Sequence, residues 1–255
     1  MRKPILAGNW KMNKTNAELS GFFEDLNAKL LEGWSETVEV IFAVPYTLLQ
    51  RSVELCKDSP IVIAAQNINQ HADGAYTGEI SAAMLKDVGV ATTLVGHSER
   101  RQYYPESDAS VTEKVRVCLE QEITPIACVG ETQQEREASI TEDVIRKQVL
   151  AILDGAKDLS KLIIAYEPVW AIGTGLTASD DQANQVHAFI RGVVAKKFSE
   201  TQAQDLRILY GGSAKPGNIE GLLKQKDIDG GLVGGASLKA EDFASMINQA
   251  VELCR

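Results

Sequence analysis

The feature that most constrains the fold is an alternation repeated eight times. Short apolar runs suited to buried strands occur at Ile5–Trp10, Val38–Val44, Ile61–Ala65, Thr92–Val95, Thr124–Val129, Leu162–Tyr166, Leu206–Tyr210 and Gly231–Val233. A helical pattern follows each one. The first spans residues 16 to 31, with Leu19, Phe22, Phe23, Leu26 and Leu30 on one face. Later patterns cover 48–57, a helix capped by Ser81, 107–122, 138–153, 179–198, 218–224 and 240–253. Strict strand–helix alternation implies parallel strands joined by right-handed crossovers. Eight repeats in 255 residues favour a closed α/β barrel of one domain, residues 1–255, over an open sheet. No linker, charge run or close repeat interrupts the pattern.

Composition narrows what such a chain does. Its net charge of −9, from 26 basic and 35 acidic side chains, argues against nucleic acid and anionic membranes as partners. A small anion held by local groups remains compatible. The four cysteines, Cys56, Cys118, Cys128 and Cys254, form no C-x-x-C pair, so neither a metal site nor a disulfide framework is expected. The first residues are basic but lack a sustained apolar stretch, and no run approaches membrane-spanning length. A cytoplasmic location is the default.

In a barrel of this kind the chemistry lies at the carboxyl ends of the strands. Asn9 and Lys11 stand there after the first strand, His97 after the fourth and Glu167 after the sixth. Gly211-Gly212-Ser213 and Gly234-Gly235 follow the seventh and eighth. Taken alone, each has an ordinary reading: a solvated cation, a hydrogen-bonded histidine, a surface carboxylate, two turns. Their convergence on one face is what suggests a site. Turns rich in glycine let backbone N–H groups approach a phosphate, and Gly173 could add another. Glu167 can take a proton from carbon, His97 can polarise the adjacent carbonyl, and Lys11 can stabilise developing negative charge. The deduced chemistry is proton transfer beside a carbonyl on a phosphorylated metabolite, without cofactor or metal. After Glu167 comes Pro168-Val169-Trp170-Ala171-Ile172-Gly173-Thr174-Gly175, an apolar loop between stiff and flexible ends. It reads as a lid that excludes water from a reactive intermediate.

Several motifs resemble the triosephosphate isomerase family from residue 3 to about residue 250. They are Asn9-Trp10-Lys11, Gln66-Asn67, Gly74-Ala-Tyr-Thr-Gly-Glu79, Gly96-His-Ser-Glu-Arg100, Ala165 through Gly175, Tyr210-Gly-Gly-Ser213 and Leu232-Val-Gly-Gly235. The resemblance implies a (β/α)8 TIM barrel that interconverts dihydroxyacetone phosphate and D-glyceraldehyde 3-phosphate in glycolysis and gluconeogenesis. By position it implies Glu167 as base and His97 as neutral electrophile, its charged form disfavoured by a helix N-terminus. That pairing is a well-known example of tuned acidity in this family, and it comes here with the resemblance rather than from the spacing of the residues. Lys11 and Asn9 would contact substrate, and Gly173, Ser213, Gly234 and Gly235 would hold its phosphate. Ser98 and Glu99 would support these groups from behind, although Glu99 serves equally well as a structural ion-pair partner. Arg100 and Arg101 would belong to structure or interface.

The resemblance also implies a homodimer in which the loop carrying Gln66, Asn67, Tyr76 and Thr77 enters a second subunit, bringing Thr77 toward the partner's Asn9 and Lys11. Read without the resemblance, that loop is an ordinary surface loop on a monomer. Two rival functions stay open. One is another phosphate-binding barrel, such as an aldolase using Lys11 as a Schiff base. The other is a metabolite sensor without turnover.

Overall fold

A computed structural model describes residues 2–172 and 177–255. The strands are β1 Ile5–Asn9, β2 Glu39–Val44, β3 Val62–Ala65, β4 Thr92–Val95, β5 Thr124–Val129, β6 Ile163–Tyr166, β7 Arg207–Tyr210 and β8 Gly230–Val233. They are all parallel and form a closed barrel in sequence order, with β1 pairing β8. The chain is therefore a single (β/α)8 barrel, as the alternation predicts.

Strand side chains alternate between two cores. Ile5, Ala7, Ile41, Ala43, Leu94, Ile126, Ile163, Ala165, Leu209 and Leu232 fill the barrel interior. Their neighbours, among them Leu6, Phe42, Val95, Ile164 and Tyr210, face the helical layer. Trp10, Phe22, Phe23, Phe42 and Phe243 pack edge-on or tilted in that outer core, with ring centroids 4.9–5.9 Å apart.

The same parity aims the site residues. Ile5 and Ala7 point inward, so Asn9 points into the barrel mouth. Ile163 and Ala165 do the same for Glu167, Leu209 for Gly211, and Leu232 for Gly234. His97 breaks the rule: Leu94 points inward, which would turn residue 97 outward. Gly96, at φ +71°, bends the chain in a region that glycine tolerates and lets His97 turn in.

Helix boundaries differ from the expected ones by a few residues. The first helix stops at Asn27, and a separate turn of helix spans Trp34–Thr37. The pattern expected from residue 138 resolves into Gln133–Glu137 and Thr141–Asp154. Ser81, Ser107 and Ser179 each cap a helix through the side-chain oxygen. No helix among the described residues is long and apolar enough to cross a membrane.

Candidate active site

At the mouth of the barrel lies a cavity of about 300 Å³. Asn9, Lys11, His97, Glu167, Ser213, Gly234 and Gly235 all line it, so seven residues singled out from strand ends meet in one place. Ile172 closes one side. Gly173, Thr174 and Gly175 lie outside the described residues.

Glu167 and His97 are both buried and in direct contact, with Oε1 2.8 Å from Nε2. The backbone N–H of Ser98 donates to the other carboxylate oxygen at 2.8 Å. Burial alone would raise the pKa of Glu167, but His97, the Ser98 N–H and Lys11 outweigh it and hold the group below its ordinary value. Burial likewise works against a charged His97, and here Glu167 and Glu99 outweigh it, so the net direction is upward.

The proton on the His97 ring is placed by a second contact. His97 caps the helix Ser98–Tyr103, and its Nδ1 accepts the Glu99 N–H at 3.2 Å. An accepting Nδ1 carries no proton, so the proton sits on Nε2, facing Glu167. The helix N-terminus and the carboxylate thus act on the ring in opposite directions.

Lys11 forms a short ion pair with Glu99, Nζ to Oε1 2.6 Å, and its backbone N–H donates to Asn9 Oδ1 at 3.0 Å. Its φ of +50° is unusual for a residue with a Cβ. Glu99 Oε2 is also 3.8 Å from His97 Nδ1, so Glu99 touches two residues of the cavity. Ser98 reaches Glu167 only through its backbone. Arg100 and Arg101 point away, onto Glu106 and Asp108 respectively, each at 2.6 Å.

Gly211 matters for the placement of the carboxylate. A Cβ there would lie 2.8 Å from Glu167 Cγ. The lid sequence opens with a short 3-10 turn, Val169–Ala171, after buried Pro168. Ala171 is buried and its carbonyl accepts the Ser213 hydroxyl at 2.7 Å, tying this segment to the turn after β7. The Trp170 indole donates to Glu131 Oε1 at 2.9 Å, and the Arg136 guanidinium stacks 4.5 Å from the indole ring.

Glu131 is a residue that sequence reading missed. It is fully buried at the end of β5, and Oε1 also accepts from Tyr166 and Arg136 at 3.1 Å each. Its Oε2 has no partner among the described residues. The available signal was its position: like Glu167, it is a carboxylate placed just past the end of a strand. Lys215, which also lines the cavity, carried no signal beyond a glycine-rich neighbourhood.

The loop from residue 66 to 79 departs from the cavity. The Gln66 amide donates to the carbonyls of Lys11 and Ala43, at 2.8 and 3.0 Å, which fixes its base. Asn67 is buried, accepting from Lys114 at 2.8 Å through Oδ1 and from the Tyr46 hydroxyl at 2.6 Å through its carbonyl. Tyr76 and Thr77 are exposed, and Tyr76 stacks on His71 with centroids 4.1 Å apart.

The profile of the triosephosphate isomerase family matches residues 4–250. Among curated proteins, the triosephosphate isomerase of Endomicrobium trichonymphae is 51% identical over 252 residues, covering 97% of this chain and 98% of that one. The triosephosphate isomerase of Alkaliphilus metalliredigens is 48% identical over 250 residues, covering 97% and 100%. That of Paracidovorax citrulli is 49% identical, covering 98% and 99%.

Proposed function

This chain belongs to the triosephosphate isomerase family and is an isomerase interconverting dihydroxyacetone phosphate and D-glyceraldehyde 3-phosphate, and from that premise we propose which of its residues do the work. Glu167 moves the proton between the two carbons. His97 donates its Nε2–H to the substrate oxygens, and Lys11 and Asn9 stabilise the enediolate. The turns at Gly211–Ser213 and Gly234-Gly235, with Gly173, hold the phosphate.

The observation that carries this reading is the buried Glu167–His97 contact. At 2.8 Å it leaves no room for a carbon atom between base and electrophile. Substrate therefore has to part them. Once Glu167 leaves, His97 loses the carboxylate that favours its charged form and keeps the helix N–H that favours the neutral one. Binding thus prepares both groups: a freed carboxylate and a neutral donor. The Lys11 ammonium, bonded to Glu99, suits charge stabilisation better than the amine attack of a Schiff-base aldolase.

For assembly we propose a homodimer in the cytoplasm. Its support is the loop whose base Gln66 anchors beside Lys11 and whose Tyr76 and Thr77 project into solvent. Met12, next to Lys11, is 96% exposed, and Tyr104 is 61% exposed, apolar surface that a second copy would cover. A coupled assay for glyceraldehyde 3-phosphate formation from dihydroxyacetone phosphate tests the function directly. Turnover is expected; no turnover by a folded chain would overturn it.

A further inference from the structure

The amino ends of the strands, opposite the active site, carry a second cavity of about 550 Å³. Leu223, Ile228 and Leu253 form apolar walls, while Arg2 and Lys226 stand at its edge. The volume is in the range that takes small ligands. Asp229 also lines it but is consumed by other groups. It accepts from Arg2, from Arg191 at 2.8 Å and from the Ile208 N–H at 2.8 Å. Lys224 is spent on Glu220 at 2.5 Å. Lys226 forms no ion pair among the described residues, and its side chain is exposed.

The neighbouring cavity shares Arg2 and adds Lys3, Arg207 and Asp205. Together the two linings hold five basic side chains; Arg2, Lys224 and Arg207 are paired with Asp229, Glu220 and Glu39, so Lys226 and Lys3 are the ones with no carboxylate partner among the described residues. Lys226, which no carboxylate pairs among the described residues, thus keeps its charge beside the apolar walls of the cavity.

We propose that this cavity binds a small amphipathic anion, with its apolar body against Leu223, Ile228 and Leu253 and its carboxylate or phosphate on Lys226 beside Arg2. The site is separate from the substrate cavity, so its occupancy reads independently of turnover. Arg2 is already held in place by Asp229 and by the Gln204 and Lys226 carbonyls, so a ligand orders only one flexible cation.

Cys254 lines the cavity and is half-buried, whereas Cys56, Cys118 and Cys128 are buried. Its alkylation by iodoacetamide, followed by mass spectrometry, therefore reports occupancy. Octanoate is expected to slow labelling saturably, about tenfold at ten times its Kd. Octylammonium, with the same chain and the opposite charge, should not protect. Lys226→Glu should weaken octanoate about tenfold or more, the loss of one charge-assisted contact. Leu223→Trp, whose indole occupies the apolar wall where the ligand's body would lie, should abolish its effect. Both variants should retain isomerase activity and their melting temperature, which shows that they fold. Equal protection by octanoate and octylammonium would overturn the proposal, as would no protection at millimolar octanoate or unchanged protection in Leu223→Trp.

Discussion

His97 Nε2 and Glu167 Oε1 lie 2.8 Å apart, with the imidazole also accepting the Glu99 N–H at 3.2 Å and the carboxylate also accepting the Ser98 N–H at 2.8 Å. Two successive backbone donors at the start of one helix therefore fix both members of the pair. The helix Ser98–Tyr103 is what locks the carboxylate and the imidazole to a common frame. Gly96 supplies the bend that puts His97 at its head.

Crowding around Glu167 gives the first prediction. Gly211→Ala would set a Cβ 2.8 Å from Glu167 Cγ and push the carboxylate aside. We expect kcat to fall about 100-fold, the scale of an ångström-sized misplacement. Steady-state kinetics beside a melting curve would separate this from unfolding.

Glu131 anchors the segment after Glu167 through the Trp170 indole. Glu131→Gln keeps a carbonyl for Tyr166 and Trp170 but strands amide hydrogens where Oε2 already lacks a partner among the described residues, and it leaves Arg136 without its charge. The expected cost is about 2 kcal/mol, read from the urea midpoint at constant slope. Trp170 emission should shift to the red as its indole loses burial.

His187 makes the fold sensitive to acid. Burial is the main cause that pushes its pKa down to about 3, with the Arg191 charge adding to it. Between about 6.5 and 3 the unfolded chain binds a proton that the folded chain refuses, so stability falls as pH drops through that window. By about pH 4 the loss reaches roughly 3 kcal/mol. His187→Gln should be less stable than the parent at pH 7 and show a flatter decline toward pH 4. Denaturant midpoints at the two pH values give both slopes.

Assembly is tested by light scattering. A mass of twice the 27.7 kDa chain is expected at micromolar concentration. Thr77→Arg should shift the protein toward monomer and lower activity, since the loop is proposed to reach the partner's site. A parent protein that runs as a monomer would contradict the loop assignment.

The barrel was legible because its pattern is: short continuous apolar runs in strands that are buried on both faces, and one apolar face on each long helix. Helices without an apolar face were not. Ser98-Glu-Arg-Arg-Gln-Tyr103 is polar nearly throughout, and its stability comes from the His97 cap and from Arg100 and Arg101 reaching Glu106 and Asp108. Gln133–Glu137 rests on a capping box at Thr132. Within the cavity, strand-end position located Asn9, Lys11, His97 and Glu167. It did not distinguish Glu131, whose role depends on Trp170 and Tyr166 folding back onto it. Nor could it place the Glu99–Lys11 pair, made by residues 88 positions apart.

The most direct measurement is the coupled assay on Glu167→Gln. The variant keeps the volume and polarity of the side chain and removes the base. We predict a kcat loss of about 1,000-fold or more, with phosphate-ligand binding retained by calorimetry. Turnover near that of the parent would contradict the assignment of Glu167 as the proton-transferring group.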